Sequence, residues 1–155
     1  MLGGEDETKV PAPSSPLTIK INLTILKWVF DWFMGKFLPA YEAVITSELR
    51  TPDSNKAAGG VDNSTHLHGL ARDFKLKFKN GGQPVPEAQA KAVYEQFIAP
   101  NWPGFTEWEG TSANEGWHVH VQLSRQITEY AAIIGTAAIG VIGFKIISSL
   151  GSKHG

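Results

Sequence analysis

The sequence predicts an α+β fold. Two stretches with apolar residues at helical spacing, residues 22–37 and 86–98, predict helices. Two stretches in which apolar and polar residues alternate, residues 74–79 and 117–123, predict strands with one buried face. The chain has 155 residues, 42% of them apolar, which is enough for one compact domain with a hydrophobic core.

Composition excludes several classes of protein and of site. The formal net charge is −1 and the sequence contains no cysteine. A near-neutral chain lacks the basic excess that is typical of nucleic-acid-binding proteins, so we expect no nucleic-acid partner. The absence of cysteine excludes a disulfide scaffold, a cysteine-type zinc finger and a thiol nucleophile. Any metal site is therefore expected to use histidine and carboxylate ligands.

The first half of the chain contains a tail, a helix, a strand and a loop. Residues 1–16 are acidic and rich in Pro and Ser, which predicts a flexible tail, and they lack the basic and apolar regions of a signal peptide. The helix over residues 22–37 is predicted to lie in the core. Residues 41–47 are rich in β-forming side chains and predict a strand, and the Pro- and Gly-containing residues 50–63 predict a loop.

The second half contains two alternating strands on either side of a helix. The strand over residues 74–79 is predicted to bury one face and to expose a row of solvated lysines, Lys75, Lys77 and Lys79. The helix over residues 86–98 is predicted to bury Ala90, Val93, Tyr94 and Phe97. The alternation over residues 117–123 places three polar side chains on one strand face, His118, His120 and Gln122.

The C-terminal segment has a different character. Residues 131–150 are mostly apolar, and Lys145 is their only charged residue. A membrane-spanning helix needs about 20 mostly apolar residues, so we predict a C-terminal membrane anchor. The alternative is a helix that packs against a partner protein, as in a virion assembly. The predicted organisation is a tail over residues 1–16, a domain over residues 17–126 and an apolar helix over residues 127–155.

Four of the five histidines occur in two close pairs, and these pairs predict a metal site. The first pair is His66 and His68, with Asp73 a few residues later, and the second is His118 and His120. Neutral imidazole and carboxylate are suitable zinc ligands. Three protein ligands with an open water position make a catalytic zinc site.

The motifs around these histidines resemble those of the M15 zinc peptidases. Residues 64–73 fit the pattern S-x-H-x-x-G-x-A-x-D, and residues 115–120 fit both E-x-W-H and H-x-H. The family contains D-alanyl-D-alanine carboxypeptidases and dipeptidases and phage L-alanyl-D-glutamate endopeptidases, and it shares its fold with the Hedgehog signalling domain. The resemblance covers about residues 17–123. It implies a small, mainly antiparallel sheet with flanking helices.

The resemblance also implies a set of zinc ligands. His66 and Asp73 match the ligands of the first motif. The H-x-H version of the second motif makes His120 the third ligand, whereas the E-x-W-H version makes it His118. Both side chains lie on one predicted strand face, so periodicity does not separate them. We favour His120 as the ligand, with His118 beside it holding the water or stabilising the oxyanion.

The remaining site residues follow from the same resemblance. Glu115 matches the general base that takes a proton from the zinc-bound water, and Arg50 resembles the family's substrate-binding arginine, which would hold a substrate carboxylate. Glu107 and Glu109 are weaker candidates for the base, because residues 106–109 predict a strand with outward-facing acids. The motif does not require His68, for which we expect a solvent-facing or supporting role.

The function implied by the resemblance is zinc-dependent hydrolysis of peptide bonds in peptidoglycan stem peptides, by a carboxypeptidase or an endolysin-type endopeptidase. The expected location is the bacterial cell wall, with membrane association through the C-terminal helix or a place in a phage virion. The alternative is a catalytically silent, zinc-stabilised binding or virion-assembly module of the same fold.

Overall fold

The described residues form an α+β fold. The structure is a computed structural model that describes residues 14–112 and 116–124. Its four strands form one antiparallel sheet in the order β1-β2-β4-β3, so the α+β class and the small antiparallel sheet are confirmed. The helices and strands are α1 (Pro16–Phe37), β1 (Tyr41–Ser47), α2 (Pro52–Ala57), β2 (Ala71–Phe78), α3 (Glu87–Val93), β3 (Phe105–Glu109) and β4 (His118–Gln122).

Helix α1 begins earlier than the sequence predicted. Its first residue is Pro16 rather than a residue near position 22, so Pro16 belongs to the helix and not to the predicted tail. The backbone N–H of Thr18 donates a hydrogen bond to the Ser15 hydroxyl at 3.2 Å. Serine at the N-cap followed by proline is a favoured helix start. This start lies before the apolar periodicity begins, and the prediction from periodicity therefore missed it.

Helix α1 packs against one face of the sheet and forms the core with it. Its buried side chains are Ile21, Asn22, Ile25, Leu26, Val29, Phe30 and Phe33. The rings of Phe30 and Phe74 meet edge to face, with centroids 5.0 Å apart. On β4, Val119 and Val121 are fully buried. Burial of each such side chain contributes about 1.5–3 kcal/mol, so this shared core holds the sheet in place.

The strand register brings several polar side chains to the opposite face of the sheet, which we call the open face. Asp73 on β2 is aligned with His120 on β4, and Glu109 on β3 is aligned with His118. Because side chains alternate along a strand, these four point away from the core. A bulge near the end of β1 aligns Ser47 with Asp73. The open face therefore carries the chemistry-bearing side chains of four strands.

Two local predictions were wrong in detail. The predicted loop over residues 50–63 contains α2, which begins with reciprocal hydrogen bonds between Thr51 and Ser54. Helix α3 is followed by one wider turn, Tyr94–Ile98, in which the N–H of Ala99 donates to the carbonyl five residues earlier at 2.8 Å. The extra residue in this turn changes which side chains face the core, so Phe97 is 43% exposed and Ile98 is buried instead.

The predicted C-terminal helix over residues 127–155 lies outside the described residues. Within residues 14–112 and 116–124, no helix is both long and apolar enough to cross a membrane. The membrane anchor therefore stays a prediction.

Candidate metal centre

The local fold of the first motif brings its histidine and its aspartate together. Residues Thr65–His68 form a single tight helical turn that ends at Gly69, and β2 then begins at Ala71. Gly69 has a φ of 69°, and a Cβ there would lie 3.1 Å from the backbone oxygen of Ile19. Only glycine adopts this conformation readily without crowding α1. The turn reverses the chain so that His66 faces Asp73.

Three side chains converge on the open face: His66, Asp73 and His120. Their candidate ligand atoms all lie within 4.8 Å of one another. The Asp73 Oδ1 atom is 3.2 Å from His66 Nε2 and 2.8 Å from His120 Nδ1. His66 and Asp73 are each 3% exposed, and His120 is half-buried, so the cluster opens towards solvent on one side.

Hydrogen bonds fix the second nitrogen of each histidine ring. His66 Nδ1 lies 2.6 Å from the backbone oxygen of Glu48, which can only accept, so Nδ1 carries a proton and Nε2 is the nitrogen directed at Asp73. His120 Nε2 lies 3.1 Å from the side-chain oxygen of Gln122, which leaves Nδ1 directed at Asp73. Metal-binding histidines in proteins are usually oriented by such outer hydrogen bonds.

The electrostatics of the cluster favour an ionised carboxylate. Burial alone would raise the pKa of the Asp73 carboxyl, but hydrogen bonds from His120 and His66 outweigh burial and hold this pKa well below its ordinary value. Burial alone would lower the pKa of His120, but its hydrogen bonds with Asp73 and Gln122 outweigh burial and raise it.

The donor set fits zinc. Two imidazoles and one carboxylate are the ligands that catalytic zinc sites commonly use. Neighbouring ligand atoms around a tetrahedral zinc are about 3.3 Å apart when the bonds are about 2.0–2.1 Å long. The 3.2 Å and 2.8 Å distances from Asp73 to the two histidines are close to this spacing. The cluster could therefore hold zinc with small side-chain adjustments.

Arg50 is anchored beside the cluster. Its Nη2 donates to Asp73 Oδ2 at 3.0 Å, and its Nε donates to the Ser47 hydroxyl at 2.9 Å. The guanidinium therefore binds Oδ2 of Asp73, whereas Oδ1 contacts the two histidines. Arg50 also lines a cleft of about 240 Å³ whose other lining residues are Thr46, Ser47, Asp73, Lys75, Gly116 and His118.

The two histidines of β4 have different surroundings. His120 belongs to the three-residue cluster, whereas His118 does not. His118 Nε2 lies 3.2 Å from Glu109 Oε2 on the neighbouring strand, and the histidine lines the cleft. Glu107 and Glu109 are exposed, as predicted for outward-facing acids, but they share the open face with the histidines. Glu109 is therefore close to the site.

Two further predicted residues are not part of the cluster as described: one lies outside the described residues, and the other packs elsewhere. Glu115 is outside the described residues, although its chain neighbour Gly116 lines the cleft. His68 is not solvent-facing: it is 6% exposed, and its Nδ1 lies 2.8 Å from the hydroxyl of Ser14. Its backbone oxygen accepts a hydrogen bond from the side chain of Asn22 on α1 at 2.7 Å. His68 therefore packs beside α1 rather than towards the cluster.

Sequence reasoning missed three residues that surround the cluster. The backbone of Glu48 orients His66, the side chain of Gln122 contacts His120, and Lys75 lines the cleft. Gln122 had a usable signal, because alternation placed it on the same strand face as the two histidines of β4. No sequence signal identifies Glu48, because this residue contacts His66 through its backbone carbonyl and not through its side chain.

Comparisons with known proteins give one match. A family model described as Peptidase M15 matches residues 16–99. The matched part runs from the start of α1 through the turn after α3 and contains Arg50, His66 and Asp73, whereas His118 and His120 lie beyond it. The comparisons with curated proteins and with solved structures found no match.

Proposed function

The chain belongs to the peptidase M15 family, and we propose that it is a zinc-dependent peptidase that hydrolyses peptide bonds in peptidoglycan stem peptides. One observation supports this function best. His66, Asp73 and His120 converge on one face of the sheet with the second nitrogen of each imidazole already hydrogen-bonded. A metal centre needs ligand atoms that are held towards one point, and these outer hydrogen bonds hold the two imidazoles in that orientation.

We assign zinc binding to His66 through Nε2, Asp73 through Oδ1 and His120 through Nδ1. A zinc ion held there would act as a Lewis acid on the scissile carbonyl and would make water a stronger acid. Asp73 has its second oxygen bonded to Arg50, so the carboxylate is fixed in one orientation. Zinc held by these atoms would leave the open face accessible to a peptide.

We assign the proton transfers to Glu115. Its carboxylate would take a proton from the water that attacks the peptide carbonyl and deliver it to the nitrogen of the leaving amine. His118 lines the cleft together with Arg50, and its Nε2 is 3.2 Å from Glu109, so its ring orientation is restrained. The histidine would stabilise the negative charge that develops on the carbonyl oxygen. Arg50 would hold the substrate beside it.

Hydrolysis of a defined substrate tests this function. The full-length protein is incubated with purified peptidoglycan and with the stem pentapeptide L-Ala-γ-D-Glu-L-Lys-D-Ala-D-Ala, with and without a chelator, and products are identified by mass. We expect new peptide termini that disappear with the chelator and return when zinc is added. The product masses distinguish removal of the terminal residue from internal cleavage.

Variants separate the metal ligands from the base. His120→Ala is expected to lose zinc, whereas His118→Ala is expected to keep it. Glu115→Gln is expected to keep zinc and to lose about a hundredfold or more of turnover. Glu107→Gln is the matched control, because this exposed acid also lies on the open face, and it should keep both zinc and turnover.

Wild-type protein that binds one zinc and releases no new termini would refute the peptidase. That outcome favours the silent, zinc-stabilised binding or assembly module instead. Loss of zinc from Glu115→Gln would refute the assignment of the base.

We also propose that the protein acts at the bacterial cell wall and is held there by its C-terminal segment. The composition of residues 131–150 supports contact with a membrane, or with a partner protein in a virion. Fractionation of the full-length protein tests this. Full solubility without detergent would refute the membrane anchor, and capture of assembled particles that contain the chain would support the partner-protein alternative.

A further inference from the structure

Lys75 occupies an unexpected place for a residue of a solvated lysine row. It follows Asp73 by two positions on β2 and points to the same open face. The residue is half-buried and lines the cleft together with Arg50 and His118. A Cβ on Gly116 would lie 2.9 Å from Lys75 Nζ, so the ammonium group rests against the backbone at the far wall of the cleft.

Two cations close to Lys75, Lys77 and Arg50, already have acidic partners. Lys77 Nζ is 2.8 Å from Glu42, and Arg50 Nη2 is 3.0 Å from Asp73. Within residues 14–112 and 116–124, Lys75 has no carboxylate within ion-pair distance, and its cross-strand neighbour on β1 is Val44. A half-buried ammonium group without a counter-ion is well placed to receive one from a ligand.

We propose that Lys75 binds a carboxylate of the peptide substrate and selects anionic peptides. This inference rests on the proposed peptidase function and names the substrate class of the same cleft. A carboxylate between Lys75 and the cluster would place the adjoining peptide along the open face, beside His118 and Arg50. The carboxylate has two possible sources in a stem peptide: the free C-terminus and the α-carboxylate of the γ-linked D-glutamate.

Two matched variants test the charge of Lys75. Lys75→Gln removes the ammonium group and Lys77→Gln removes the paired ammonium group two residues along the same strand face. We expect Lys75→Gln to lower kcat/KM for the stem pentapeptide by about ten- to hundredfold, mostly through KM, because it removes a charge-assisted hydrogen bond. Lys77→Gln should leave kcat/KM unchanged. Lys75→Arg should restore most of the loss.

Amidated peptides identify the carboxylate. One pentapeptide carries a C-terminal amide, and a second carries D-isoglutamine in place of D-glutamate. If Lys75 binds the C-terminal carboxylate, wild type and Lys75→Gln have equal kcat/KM on the first peptide. If it binds the glutamate carboxylate, they have equal kcat/KM on the second. Either result supports the proposal. A loss that is the same on all three peptides, or no loss at all, overturns it.

A binding measurement separates this proposal from the peptidase function. Affinity for the fluorescently labelled pentapeptide is measured by anisotropy in the presence of a chelator, where turnover is absent. Weaker binding by Lys75→Gln than by Lys77→Gln supports the role of Lys75 even if the zinc-loaded wild type cleaves nothing. Equal binding by the two variants refutes it, whether or not the wild type is a peptidase.

Discussion

The side chain of Gln122 on β4 contacts His120 of the candidate metal centre. Its replacement tests whether this contact orients the imidazole. Its oxygen lies 3.1 Å from His120 Nε2 and accepts from the Thr65 hydroxyl at 2.9 Å. Gln122→Leu keeps the approximate size of the side chain and removes this acceptor. The imidazole then loses the contact that keeps Nδ1 directed at Asp73. Loss of such an outer hydrogen bond lowers metal affinity by about 10- to 100-fold, which is about 1.4–2.7 kcal/mol.

Zinc affinity is measured by competition with a chromogenic chelator. Thr65→Val is the matched control, because it removes the other hydrogen bond to Gln122 and leaves the contact with His120, so we expect a smaller loss of affinity. Urea unfolding in the presence of a chelator shows whether either variant destabilises the fold itself. If Gln122→Leu binds zinc as tightly as the wild type while His120→Ala does not bind it, the inferred role of Gln122 is refuted.

Three further predictions address the cleft, the turn and the charges. Glu109→Gln removes the carboxylate next to His118 and should lower kcat about tenfold with zinc retained. Glu107→Gln should leave kcat unchanged, and equal kcat values for the two variants would contradict the prediction. Gly69→Ala should cost about 1–2 kcal/mol of unfolding free energy in urea, because φ is 69° there; an unchanged midpoint would argue against strain. Without metal, the lowered pKa of Asp73 stabilises the fold above about pH 4 and the raised pKa of His120 stabilises it below about pH 6.5. Thermal unfolding in a chelator should therefore show that the stabilisation from His120 is lost as pH rises through the raised pKa of this histidine. Asp73→Asn removes the partner of His120 and should remove this pH dependence.

Periodicity was sufficient to predict the faces of the elements. The two-residue alternation of β4 placed His118, His120 and Gln122 together on one face, and the structure has them there. The helical spacing of apolar residues likewise identified α1 as a core helix. These predictions succeed because the buried face of an element depends on residues that are close together in the sequence.

Contacts between distant strands were not predictable in the same way. Both histidines of β4 lie on one face, and only the register of β4 against β2 brings His120 rather than His118 next to Asp73. The sequence predicts a solvated Lys75, because the alternation along its strand shows only that this side chain lies on the face opposite the core. Its position in the cleft depends on Gly116, which comes from the loop before β4. Such pairings depend on the tertiary arrangement, and one sequence does not specify them.

The separation of the sheet into a core face and an open face has a consequence for protein engineering. Along β2 and β4, residues of the core face alternate one by one with residues of the open face. Substitution libraries at open-face positions other than Asp73 and His120, whose mutual hydrogen bond also stabilises the fold, should therefore be well tolerated, since they leave the packing against α1 intact. Insertion or deletion of one residue in either strand would instead exchange the two sets, and would put Val121 in water and His120 in the core. Length changes in this protein are better directed to the loops between strands.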